Sequence, residues 1–167
     1  MPNWCDGNIR FRGKQENIRR FLRNEIVYCR MKDHETVEEK AVVEDKSYCM
    51  ILTKPAESSW FYIKGTRRNF FECDAIEVWF EDDEKPDKDI IVCIDKYRVA
   101  WSFHQHERWV ELAKEYDFDV KQVGYERGME FSQIKTIIRD GTVHDSIHEY
   151  TDYEDWMWNC PQPNYGG

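Results

Sequence analysis

Hydrophobic and polar positions alternate from the start of the chain. In Asn8-Ile9-Arg10-Phe11-Arg12, Ile9 and Phe11 share one face and Asn8, Arg10 and Arg12 the other, the period-two pattern of a strand buried on one side. Gly13 ends it. Ile18, Phe21, Leu22 and Ile26 then recur at i, i+3, i+4 and i+8, which predicts an amphipathic helix running to about Tyr28. The two together read as the first and central strand of a small α+β domain, with the helix laid back over the Ile9/Phe11 side.

Residues 30–46 are charged (Glu35, Glu38, Glu39, Glu44, Asp45) and show no apolar period, which predicts a solvated helix or a loop. Alternation returns over 48–53, 60–64, 75–80 and 90–94, with breaks at Pro55, Gly65 and the acidic stretch 81–89. An extended period continues through Tyr97, Val99, Trp101 and Phe103. Then it switches: Ser102 and Gln105 have capping-box spacing, and Trp109, Leu112, Ala113 and Tyr116 form the core stripe of a second helix. Residues 118–125, 128–138 and 142–150 predict an antiparallel meander, turning at Glu126-Arg127-Gly128 and at Asp140-Gly141, the latter a two-residue hairpin signal. The aromatic ending Trp156-Met157-Trp158 predicts a segment that packs back on the sheet. The expectation is a single domain over 1–161, with a loose tail over 162–167.

The totals narrow the class. The 167 residues suit one domain with a sizeable core. A 15% aromatic content excludes disorder as a description of the whole. No apolar run approaches the roughly 20 residues of a membrane helix, and the start lacks a basic-then-apolar leader, so the expected location is cytoplasmic. The six cysteines (Cys5, Cys29, Cys49, Cys73, Cys93, Cys160) form no C-x-x-C pair. They read as reduced, mostly buried small hydrophobes, with neither a metal nor a cofactor implied.

Formal net charge is -9 and unevenly placed. Arg10, Arg12, Lys14, Arg19, Arg20, Arg23, Arg30 and Lys32 make the first segment basic, whereas 72–89 and 140–155 are strongly acidic. An acidic protein is repelled by a phosphate backbone unless its basic residues are segregated on one face.

Several segments resemble the YubB-type ferredoxin-like domain family of phages, plasmids and other mobile elements. They are Met1-Pro2-Asn3-Trp4-Cys5, Gly65-Thr66-Arg67, Val99-Ala100-Trp101-Ser102, and Tyr125, Gly128, Phe131 and Gly141 leading to Tyr150-Thr151-Asp152-Tyr153. The chain departs from that pattern at Phe103-His104, where the family often has Pro-Pro, and at Lys64, where a tryptophan is usual. The resemblance implies a ferredoxin-like sandwich: an antiparallel sheet, two main helices on one face and an extended C-terminal meander. It implies a mobile-element origin and carries no assigned catalytic residues.

Three constellations compete for function. Asp82, Asp83 and Glu84, with Tyr150, Asp152, Tyr153, Glu154, Asp155 and Trp156, supply carboxylates interleaved with aromatics. Such a surface suits occupation of a basic groove on a host protein or ribonucleoprotein. With the mobile-element resemblance this becomes a counter-defence reading, CRISPR inhibition being one form. The second constellation is the open sheet face, where Arg10 and Arg12 lie across from the helices and Trp60, Tyr62 and Lys64 share one strand face, a layout suited to RNA. The third is His104 and His106 at a helix start with Glu107, a candidate metal-independent ribonuclease pair. His144 and His148 have metal-ligand spacing only on a helix; on a strand they stand about 13 Å apart and cannot share one ion.

Overall fold

The structure, a computed structural model, describes residues 3–32, 35–66, 68–80, 88–104 and 106–149. In chain order the elements are β1 (Trp4–Lys14), α1 (Gln15–Glu25), β2 (Ile26–Lys32), β3 (Glu35–Lys40), β4 (Val42–Asp45), β5 (Cys49–Thr53) and β6 (Phe61–Ile63). They continue with β7 (Asn69–Phe71), β8 (Ala75–Trp79), β9 (Asp89–Ala100), α2 (His106–Tyr116), β10 (Phe118–Glu126), β11 (Phe131–Ile137) and β12 (Val143–Glu149). Nine strands form one antiparallel sheet in the order β12-β11-β10-β1-β9-β7-β6-β2-β3; β4, β5 and β8 form a second.

This corrects the expected fold class. The chain is mostly β and is not a small ferredoxin-like α+β sandwich. Two helical crossovers are present, β1-α1-β2 and β9-α2-β10, but the β6–β7 pair stands between β9 and β2 and a separate three-stranded sheet is added. Strands of three residues, such as Phe61–Ile63 and Asn69–Phe71, are too short to announce themselves by periodicity.

Two further corrections follow from β propensity and from edges. The first helix stops at Glu25 rather than near Tyr28; Ile26, predicted as the last residue of its stripe, instead pairs with Ile63 as the first residue of β2. Ile26-Val27-Tyr28 is β-branched and aromatic, which favours the ladder over another helical turn. The described part of 30–46 is mostly strand, the end of β2 with β3 and β4, and not the expected helix or loop. β3 is one edge strand of the large sheet and β4 one edge strand of the small sheet, and charge is how edge strands avoid pairing with other chains.

The β1 reading is borne out: Cys5, Ile9 and Phe11 are fully buried while Arg10 and Arg12 are exposed. So is the α1 stripe Ile18, Phe21 and Leu22, and the α2 stripe Trp109, Leu112, Ala113 and Tyr116. Phe21 and Phe11 sit 4.9 Å apart, ring centre to ring centre, and Phe118 packs edge-on against both at 5.0 and 5.3 Å. Met50, Leu52, Ile76, Val78 and Phe80 of the small sheet and its flank join the same core. Asp45 of β4 is ion-paired to Arg19 and Arg23 of α1. Glu25 at the end of α1 accepts from Arg108 (2.7 Å) and from the Tyr116 hydroxyl (2.8 Å), tying the two helices together. Burial and that hydrogen bond push the Tyr116 phenol up to about 12.

The C-terminal meander is as expected, except at its last turn. Ile137 pairs with Val143, the Ile138 N–H donates to the Thr142 carbonyl, the Gly141 N–H donates to the Ile138 carbonyl, and Gly141 has φ +98°. The connection is therefore a three-residue loop, Arg139-Asp140-Gly141, closed by a glycine in the left-handed region. A two-residue turn would have shifted the register and reversed the faces of β12.

Of the cysteines, Cys5 and Cys49 are buried, Cys29 and Cys73 half-buried and Cys93 exposed, all as free thiols; fewer are buried than expected, and Cys160 lies outside the described residues. No helix among the described residues is long and apolar enough to cross a membrane.

Candidate nucleic-acid interface

One face of the large sheet is covered by the helices; the other carries Trp4, Asp6, Asn8, Arg10 and Arg12 of β1. The registers place Arg10 between Cys93 of β9 and Lys121 of β10, and Arg12 between Ile91 and Asp119. Around them lies a groove of about 330 Å³, lined by Arg10, Arg12, Ile91, Asp119, Lys121 and Thr136. Ile91 is 71% exposed at its rim, a large apolar side chain left to solvent beside three cations.

The three cations are not equivalent. Arg12 grips Asp119 with two nitrogens, Nε at 2.8 Å and a terminal nitrogen at 2.7 Å. Asp119, with 8% of its side chain exposed, also accepts from the Arg139 backbone N–H (3.0 Å) and Nε (3.2 Å), and Arg139 reaches on to Asp89 at 2.7 Å. Burial alone would raise the Asp119 carboxyl, but the hydrogen bonds from Arg139 and Arg12 outweigh it and hold it below the ordinary value. Arg10 and Lys121, both exposed, have no carboxylate partner among the described residues. Arg10 instead approaches the Cys93 thiol, which burial and Asp95 push up while Arg10 pulls it down. Like charges directly opposite across a ladder destabilise a sheet by a few tenths of a kcal/mol.

The Asp119 network has a measurable consequence. A carboxyl depressed in the folded state stabilises the fold above its unfolded pKa, about 4, and that contribution is lost as pH falls through the folded value. Asp119→Asn should therefore cost about 2 kcal/mol at pH 7, since Arg139 and Arg12 lose a buried partner. The gap to the wild type should narrow as pH drops from 5 towards 2, read by urea unfolding at each pH.

At the other end of the same face lies an aromatic cluster. Phe70 of β7 meets Trp4 (5.7 Å), Trp60 (5.9 Å) and Tyr62 (6.2 Å) edge-on. The Arg98 guanidinium lies 5.8 Å from the Trp4 ring and 5.7 Å from the Trp60 ring, and is ion-paired to Asp6 and to Glu72.

The sequence-derived candidates fare unequally. Arg10, Arg12, Trp60 and Tyr62 do share the open face, but Tyr62 is 5% exposed, its hydroxyl against the Cys29 thiol, and supports the cluster from beneath. Lys64 is exposed in the turn after β6, where its backbone is tied to Glu25 and Arg108. His104 sits 3.4 Å from the Ser102 hydroxyl, and the nearest carboxylate to His106 is the exposed Glu107 at 3.6 Å. Their neighbour Phe103 stacks on Tyr97 on the helix-covered side, so the histidines and the Arg10 groove belong to opposite layers. Asp82, Asp83, Glu84, Tyr150, Asp152, Tyr153, Glu154, Asp155 and Trp156 lie outside the described residues. His144 and His148 are on β12, and among the described residues no group of three or more potential ligands could hold a metal ion.

Lys121, Trp4, Phe70 and Arg98 were missed as site residues. Alternation in β10 puts Lys121 on its outer face with Asp119, but only strand order sets it beside Arg10. No protein-family model, curated protein or solved structure matches the chain.

Proposed function

We propose that the open face of the nine-stranded sheet binds RNA. The observation that carries this reading is the juxtaposition of Arg10 and Lys121, adjacent across β1 and β10 and without an acidic partner among the described residues, in a groove rimmed by exposed Ile91. Two neighbouring cations repel each other until an anion bridges them, and successive phosphates of a backbone do so while releasing their own counterions. The acidic total is no obstacle to a local site. Five acids against one lysine in 81–87, with three more acids in 150–167, account for most of the formal net charge of -9. Cleavage draws no support from the geometry, because His104 and His106 are in the other layer. The counter-defence reading rests on residues outside the described structure, and no described residue favours it.

The test is fluorescence anisotropy with a labelled RNA at 50–200 mM salt. Arg10→Glu combined with Lys121→Glu should weaken binding about 30-fold or more and flatten the salt dependence by about 1.4 in log–log slope, two phosphates' worth. Asp119→Asn frees Arg12 of its carboxylate, while Arg139 keeps Asp89, and should tighten binding, the opposite sign. Wild type that ignores RNA at 50 mM salt, or a folded double variant with unchanged affinity and slope, would rule the site out.

A further inference from the structure

We infer that the ligand of this face is a single strand, with an unpaired base stacked at Trp60; the inference rests on the RNA-binding reading above. The basic groove explains attraction to any polyanion, duplex included. The aromatic cluster is a separate feature of the same face and explains more. Trp4, whose strand also carries Arg10, lies about 20 Å from it along β1 at ~3.3 Å per residue. That reach falls within what a single strand covers on sheet-face sites of ~4–16 nucleotides.

The cluster has the properties of a stacking platform. Trp60 is 37% exposed, yet its ring is held by an edge-on contact with Phe70 at 75° and by Arg98. Arg98 is itself held from both sides, by Asp6 on β1 and Glu72 after β7. A ring fixed before binding loses little conformational freedom when a base lands on it. Arg98, with 21% of its side chain exposed and its charge met by Asp6 and Glu72, fixes the Trp60 ring through a cation–π contact. Duplex nucleic acid offers the Trp60 ring no partner, because its base faces are already covered by neighbouring pairs. An exposed, pinned tryptophan on the same sheet face as a phosphate groove therefore selects against duplex.

The experiment compares one mixed-sequence, unstructured 12-mer RNA with its duplex, in competition against a labelled copy of the single strand. The wild type should prefer the single strand by at least tenfold. Trp60→Ala should lower single-strand affinity about tenfold while leaving duplex and heparin binding unchanged; Trp60→Phe, which keeps a π-face, should retain most of it. Arg10→Glu with Lys121→Glu should lower binding to all three polymers together. Equal affinity for duplex and single strand, or a folded Trp60→Ala indistinguishable from wild type, would overturn the stacking inference and leave the groove intact. Absence of binding to every polymer would remove the RNA-binding reading and this one with it.

Discussion

Replacing Gly7 by alanine is expected to destabilise the protein by about 3 kcal/mol or more. Gly7 faces Gly124 across the β1–β10 ladder, and a Cβ on it would run into the Val123 carbonyl oxygen and come within 2.7 Å of the Gly124 Cα. These are backbone atoms, and they cannot withdraw. β1 is hydrogen-bonded on both sides, to β10 and to β9, and the register with β9 already shifts between Gly7 and Ile9. Moving β1 off β10 would disturb the centre of the sheet and the Arg10–Lys121 register with it. Gly124→Ala is the internal comparison. There the added carbon meets the Phe103 ring and the Cys5 sulfur, which are side-chain atoms that can shift, so the loss should be smaller. Urea unfolding followed by circular dichroism decides between them. A Gly7→Ala midpoint equal to the wild type would mean that the strands are not in this register.

Trp109→Ala should cost about 3–5 kcal/mol, by removing the largest fully buried side chain of the core. Its ring lies 6.1 Å from Phe11, 6.2 Å from Phe21 and 6.4 Å from Tyr97, and so joins α2 to β1, α1 and β9 at one point. None of these neighbours can collapse into the space without leaving its own partners, which places the cavity cost at the upper end. Trp109→Phe keeps part of the volume and should lose about 1–2 kcal/mol. Trp109 acts on the helix-covered face. Under conditions where the alanine variant is still folded, its RNA affinity should therefore match the wild type, which separates stability from the proposed site. A variant that unfolds at the wild-type midpoint would show that α2 does not anchor the core.

How much of this was legible follows from the range over which each signal acts. β1, α2 and the meander were readable because Ile9/Phe11, Trp109/Leu112/Ala113/Tyr116 and Phe118/Val120 repeat over several residues with one period. The misreadings fell where that repeat was missing. β6 and β7 hold three residues each, β3 and β4 are charged edge strands, and Ile26 fits the stripe of a helix as well as the start of a strand. The Asp140-Gly141 signal located a turn correctly but left its length open, since a left-handed glycine serves both two- and three-residue loops.

The candidate site divides along the same line. By itself the sequence determined which side chains leave the core on each strand, and so that Arg10 and Arg12 point away from the helices, because alternation is a property of adjacent residues. The tertiary structure decided who stands next to whom. It set Lys121 against Arg10 across 111 positions of chain, gave Arg12 to Asp119, gathered Trp4, Trp60 and Phe70 around Arg98, and put the His104–His106 pair in the opposite layer. Strand order and register arise from packing the whole chain at once, and no local period encodes them.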